Sequence, residues 1–144
     1  MDGLTGNWQF WALLAAVFAA LTAILAKVGV ADVNSNLATL IRTFVVLVAL
    51  GGLVLALGQG QGIGAISGKT WVFLALSGLA TGASWLCYFR ALQIGQAAQV
   101  APVDKLSVVF VAVLGALFLG EKLTVVGWSG VGLIAVGAVM VAVG

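Results

Sequence analysis

The stretch "AAQVAPVDKLSVVFVAVLGALFLGEKLTVVGWSGVGLIAVGAVMVAV" (97–143) decides the fold. It reads as two apolar runs, Ala97–Leu119 and Leu123–Val143, parted by "GEK" at 120–122. A helix crossing the hydrocarbon core of a bilayer needs about 20 predominantly apolar residues, so each run is long enough to cross once. A break this short permits only a tight antiparallel hairpin. The stretch is a membrane hairpin.

The same ruler finds three further segments upstream: Trp8–Val30, Leu37–Leu57 and Trp71–Ile94. They are separated by "ADVNSN" (31–36), the Gly/Ser-rich "GQGQGIGAISGKT" (58–70) and "GQ" (95–96). Strands of a membrane β-barrel run to about ten residues with alternating polarity, and no such pattern occurs. The chain is therefore expected to be an all-α membrane protein, residues 1–144 forming a single domain of five transmembrane helices.

Composition agrees. Hydrophobic residues make up 63% of the chain and charged residues 7%, against about a quarter charged in a soluble domain. The mean hydropathy is +1.25, and the apolar character is spread along the whole length. With one cysteine, Cys87, and no histidine, an intrachain disulfide is excluded and a conventional zinc or iron–sulfur site is not expected. The six bases are scattered, so they form no stripe for nucleic acid. "GQGQGIG" (58–64) lacks the lysine and the strand–helix setting of a phosphate loop. The opening Met1-Asp2-Gly3 lacks the basic region of a removable signal peptide. No metal, cofactor or nucleic-acid partner is expected.

Five crossings place the two termini on opposite sides of the membrane. The side bearing the N-terminus holds Asp2, Lys69, Glu121 and Lys122. The other side is nearest to Lys27, Asp32, Arg42 and Arg90, with Asp104 and Lys105 deeper. Lysines and arginines near the ends of spans orient a membrane chain. Here the bias is slight, a weak preference for N-terminus out, and a chain with so little bias is able to insert both ways round.

The segments carry distinct faces. The first shows Ala12, Ala16 and Ala20 beside Ala19, Ala23 and Ala26. The fifth carries Gly127, Gly130 and Gly137, with Gly132 on another face. Small residues let helix backbones approach in lipid, either within the bundle or in self-association. On the third segment Ser77, Thr81, Ser84, Trp85 and Tyr88 recur at helical spacing along one face. Such a face either hydrogen-bonds a neighbouring helix or lines a polar cavity. Trp85 lies too deep to be an interfacial belt residue, whereas Trp8, Trp11, Trp71 and Trp128 sit near segment ends, where belts form.

The fourth segment places Pro102, Asp104 and Lys105 in an otherwise apolar run. A mid-membrane charge costs roughly 2.5–3.5 kcal/mol on insertion scales unless it is paired or hydrated. Lys105 can snorkel along its stem; Asp104 cannot. Neighbours on a helix point about 100° apart, so Asp104 is expected to meet Arg42 or Arg90 instead of Lys105. Pro102 is expected to kink the helix just before the charges. Two readings stand: a buried ion pair that fixes helix register, or a polar pathway with Asp104 as its deep carboxylate. Glu121 and Lys122 read as residues that keep the last turn wet and anchored.

The stretch 88–143, with "YFRAL", the "VAP" that opens the fourth segment, "LFLGEKLT" and the glycine-bearing last segment, resembles the EamA-type repeat of the drug/metabolite transporter superfamily. "LGEKLT" (119–124) is its most specific piece, and the first two segments fit by length and position. The resemblance implies a half-transporter. Most relatives have ten helices in two oppositely oriented repeats, a symmetry that an antiparallel homodimer of one repeat reproduces. It also implies export or import of small solutes through a cavity lined chiefly by the first, third and fourth helices. The small multidrug resistance branch uses a first-helix glutamate to exchange protons for cationic drugs. The first segment here contains no acid, so that activity is not expected.

The expected function is thus secondary transport of small metabolites, amino-acid-like or otherwise small polar or amphipathic solutes. The expected solute-binding residues are Thr81, Ser84, Trp85, Tyr88, Asp104, Lys105 and Arg42. The aromatics would contact solute, the hydroxyls would offer hydrogen bonds, and the charged residues would set the charge preference. The expected partners are the solute, the lipid bilayer of a prokaryotic inner membrane, and a second, antiparallel copy. The alternative is a non-transporting membrane subunit. No catalytic residue is expected: a Ser/His pair is impossible without histidine, and a single deep carboxylate cannot make a paired-aspartate site.

Overall fold

The computed structural model describes residues 6–144. Asp2 and the N-terminal reading against a signal peptide lie outside the described residues. Five helical spans are long and apolar enough to cross a membrane, and no strand occurs among the described residues. The helices are α1 (Trp8–Gly29), α2 (Ser35–Ala56), α3 (Gly68–Ile94), α4 (Ala97–Asp104), α5 (Ser107–Leu114) and α6 (Val125–Val143). Together α4, α5 and a π-helical turn over Gly115–Leu119 form the fourth span, Ala97–Leu119.

Local chemistry sets the ends. Asn34 caps α2, its side-chain oxygen accepting from the N–H groups of Asn36 and Leu37 at 2.9 and 3.4 Å, which satisfies donors that have no intrahelical partner. This starts α2 at Ser35, two residues before the expected Leu37. The Ser67 hydroxyl accepts from the Thr70 N–H at 3.2 Å, and α3 accordingly begins at Gly68 instead of Trp71. The expected open linker at 58–70 is shorter and more ordered. Gly58 takes a left-handed conformation (φ 64°), and a 3₁₀ helix fills Gln59–Ala65.

The described residues divide into two compact units, 6–25 with 94–144, and 26–93. In the first, α6 packs on both α4 and α5. Its inward face is Gly127, Gly130, Val131, Ala135 and Ala138, with Ala138 buried. Gly132 and Gly137 are exposed, and at Gly130, Gly132 and Gly137 an added methyl would meet nothing within 4 Å. These three glycines of α6 are therefore not spent on close approach within the chain. The second unit packs around Ala26, Val30, Ser35, Thr39, Phe89 and Leu92, all buried, with Val30 and Leu92 fully so.

The last hairpin explains "LGEKLT". Gly120 has φ 68°, a conformation that costs other residues roughly 1–2 kcal/mol. Glu121 donates its N–H to the Gly115 carbonyl at 3.1 Å, closing the π turn. Thr124 caps α6, its hydroxyl oxygen accepting from the Gly127 N–H at 3.1 Å. Leu123 folds over Gly127, where an added methyl would lie 3.2 Å from its Cδ2.

The break in the fourth span falls just after Asp104, at Lys105 and Leu106, and not before the charges. Pro102 sits inside α4, which continues to Asp104. Backbone bonds carry the chain across the break. Lys105 N–H bonds Ala101 and Pro102 carbonyls, and the N–H groups of Leu106, Val108 and Val109 each reach three residues back. Tightening to the 3₁₀ pattern keeps these amides bonded across the break.

Candidate functional site

On α2, Ser35, Thr39, Arg42 and Val46 recur at helical spacing and form its inward side, two buried and two half-buried. Thr39 and Thr43 donate their hydroxyls to the carbonyls four residues back, at 2.8 and 2.7 Å, so neither hydroxyl proton is left over. Arg42 is seven residues into the helix, about 10 Å from its start at 1.5 Å per residue. Its guanidinium lies over the indole of Trp85, 4.1 Å from the ring centroid, and 5.6 Å from that of Phe89. Tyr88 lies within electrostatic reach of the same group.

Three of the expected site residues, Arg42, Trp85 and Tyr88, are therefore gathered in one unit. Phe89 joins them. It was not anticipated, although its place one residue beyond Tyr88 on α3 was the available signal. A desolvated cation–π contact recovers about 2 kcal/mol, against roughly 2.5–3.5 kcal/mol for an arginine at mid-membrane depth. The rings cover the guanidinium faces but leave its edge. Among the described residues no hydrogen bond runs from its five N–H donors to protein, and since no buried side-chain nitrogen lacks a partner, that edge lies where solvent reaches it.

Thr81 and Ser84 are exposed on the same helix. The Thr81 hydroxyl donates to the Ser77 carbonyl at 2.9 Å, which leaves its oxygen as an acceptor only. Ser84 retains both roles.

Asp104 and Lys105 belong to the other unit. They pair with each other at 3.0 Å, contrary to the expectation that neighbours on a helix point apart. The reason is the break: Lys105 is the C-cap of α4, with ψ −5°, so the spacing of a continuous helix does not apply there. The lysine side chain is 55% exposed and the aspartate 32%, which makes the pair a partly solvated one.

The other two bases expected near that side are engaged with the backbone and with an amide. Lys27 donates to the Leu92 carbonyl at 2.7 Å, one of the last carbonyls of α3 that lacks an intrahelical donor. Arg90 donates to the side-chain oxygen of Gln93 at 2.8 Å, and the Gln93 amide in turn donates to the Val33 and Val30 carbonyls at 3.0 and 3.5 Å. This lock ties residues 27–33 to the end of α3. Arg90 is thus bound to a side-chain amide and Lys27 to a backbone carbonyl.

In the first unit, Val111, Leu114, Gly115, Phe118, Leu119 and Glu121 line a shallow recess of about 310 Å³. The Glu121 carboxylate lies against Gly115, 2.7 Å from where a Cβ would stand.

The family model for the EamA-like transporter family matches residues 6–143. A protein of Sinorhizobium sp named "Uncharacterized transporter in cobO 3'region" is 63% identical over 140 residues, covering 97% of this chain and 99% of that protein. No solved structure matches the chain. A multi-pass chain of five apolar helices, matched to that family over almost all of its length, belongs to the EamA-like transporter family.

Proposed function

We propose that the chain is a secondary transporter of small metabolites, amino-acid-like or otherwise small polar or amphipathic solutes, working in a prokaryotic inner membrane as an antiparallel homodimer around a central cavity. The observation that carries this reading is the Arg42–Trp85–Phe89 cluster: a membrane-depth guanidinium whose donor edge is left for something other than protein. Trp85 and Tyr88 contact solute, Ser84 donates and accepts, Thr81 accepts, and the Asp104–Lys105 pair contributes a polar, charge-balanced patch.

Two features favour a partner of the same chain in the opposite orientation. Transporters with inverted repeats hold their site at the junction of the repeats, and the five spans make one such repeat. The bases also orient the chain weakly. Lys27 and Arg90, both on the more basic side, are engaged by the Leu92 carbonyl and by Gln93, and Lys69 and Lys122 balance them on the other side.

The test has two parts. Single cysteines near residues 7 and 143, in a chain with Cys87 replaced, are labelled with an impermeant reagent in intact and opened cells. Partial labelling of each end from both sides is the expected result, whereas one fixed orientation excludes the antiparallel homodimer. Purified protein in liposomes is then assayed for solute flux, and a chain that never catalyses flux is a non-transporting subunit.

A further inference from the structure

We infer that the solute presents a single carboxylate, taken by Arg42 as a two-pronged contact on its N–H edge. The inference deepens the transporter reading and rests on it for the claim that the bound molecule is cargo.

The argument starts from which parts of the guanidinium are used. Its face is covered by Trp85 at 4.1 Å and approached by Phe89 at 5.6 Å. Phe89 is 3% exposed, so that ring is fixed in place, and Trp85 is half-buried on the same helix. A guanidinium stacked in this way can interact further only in its own plane. In that plane its paired N–H groups match the two oxygens of a carboxylate.

Among the described residues no hydrogen bond runs from Arg42 to a protein oxygen. Thr39 and Thr43, the hydroxyls nearest in the α2 sequence, are bonded to helix carbonyls instead. The Asp104 carboxylate is paired with Lys105. Of the two half-buried cations in residues 26–93, Lys27 gives its ammonium to the Leu92 carbonyl, and Arg42 gives its donors to no protein oxygen. One open cation fits one negative charge. A phosphate monoester would bring close to two, and the single guanidinium answers only one of them. A cationic solute would be repelled.

The probes are benzoate, its uncharged isostere benzamide, and phenyl phosphate. Trp85 emission reports binding in full-length protein in nanodiscs, after Trp8→Phe, Trp11→Phe, Trp71→Phe and Trp128→Phe. The rise in Tm of the unaltered chain with each probe gives a second readout that does not depend on the substituted protein folding.

Benzoate is expected to bind at least tenfold more tightly than benzamide and phenyl phosphate. Arg42→Gln is expected to abolish the difference, and Arg42→Lys to retain part of it at roughly tenfold weaker affinity, since an ammonium keeps the charge but loses the fork. Equal binding of benzoate and benzamide, no binding of benzoate, or a benzoate preference that survives Arg42→Gln overturns the inference. Tighter binding of phenyl phosphate overturns the carboxylate assignment. Liposome flux separates this result from the transporter reading: Arg42-dependent benzoate binding without flux leaves the site and removes the transporter. Flux of uncharged solutes that is indifferent to Arg42→Gln does the reverse.

Discussion

The ammonium of Lys27 meets the carbonyl of Leu92 at 2.7 Å, across 65 residues of sequence. A lysine near the end of α1 thereby completes the hydrogen bonding at the end of α3, beside two side chains, Val30 and Leu92, that are fully buried.

Lys27→Met keeps the apolar stem and removes the donor. Hydrogen bonds to charged groups contribute about 1.5–3 kcal/mol, so a fall in stability of that order is expected, read as a lower Tm in detergent. An unchanged Tm would mean that lipid or water serves the Leu92 carbonyl equally well.

The Asp104–Lys105 pair is partly solvated, and exposed pairs are worth about 0–1 kcal/mol. Asp104→Asn should accordingly leave folding intact while changing transport or its pH dependence. Loss of folded protein would instead assign the pair a structural task.

Gly120 and Gly115 differ although five residues separate them. Gly120→Ala places a side chain at φ 68°, for about 1–2 kcal/mol. Gly115→Ala meets only the mobile end of Glu121, which can swing outward. Thermal unfolding should rank Gly120→Ala as the more damaging; the opposite order would mean that the Glu121 carboxylate is held in place.

Trp85→Leu removes the nearer ring from Arg42, and Phe89→Leu the farther one. The first is expected to weaken solute binding more and the second to lower Tm more, because Phe89 is buried and large-to-small core changes cost about 2–5 kcal/mol. Equal effects of the two on binding would show that Arg42 is held by something other than the indole.

The spans were legible because a bilayer imposes a length on apolar runs, and the last hairpin because Gly120 and Thr124 have local conformational tasks. The period of 3.6 was enough to align Trp85 with Tyr88. Arg42 was singled out as a base able to meet Asp104, but the rings that hold it were not, since nothing in a sequence states which face of α2 meets which face of α3. The partners of Lys27 and Arg90 were not read for a related reason. Lys27 and Gln93 donate to three backbone carbonyls, which every residue carries and no letter marks. The pairing of Asp104 with Lys105 was missed because the spacing of an unbroken helix was applied across a place where the helix tightens.

That tightening has a bearing on how the fourth span presents itself. A 3₁₀ step turns the chain by about 120° per residue and an α step by about 100°, so each residue bonded three back at Lys105–Val109 advances the azimuth by about 20°. The π turn at Gly115–Leu119 is wider and gives azimuth back. The span runs fast in its middle and slow at its end. A helical wheel drawn through all of Ala97–Leu119 at one uniform pitch misassigns the outlook of Val108 to Leu114, the stretch between the two corrections.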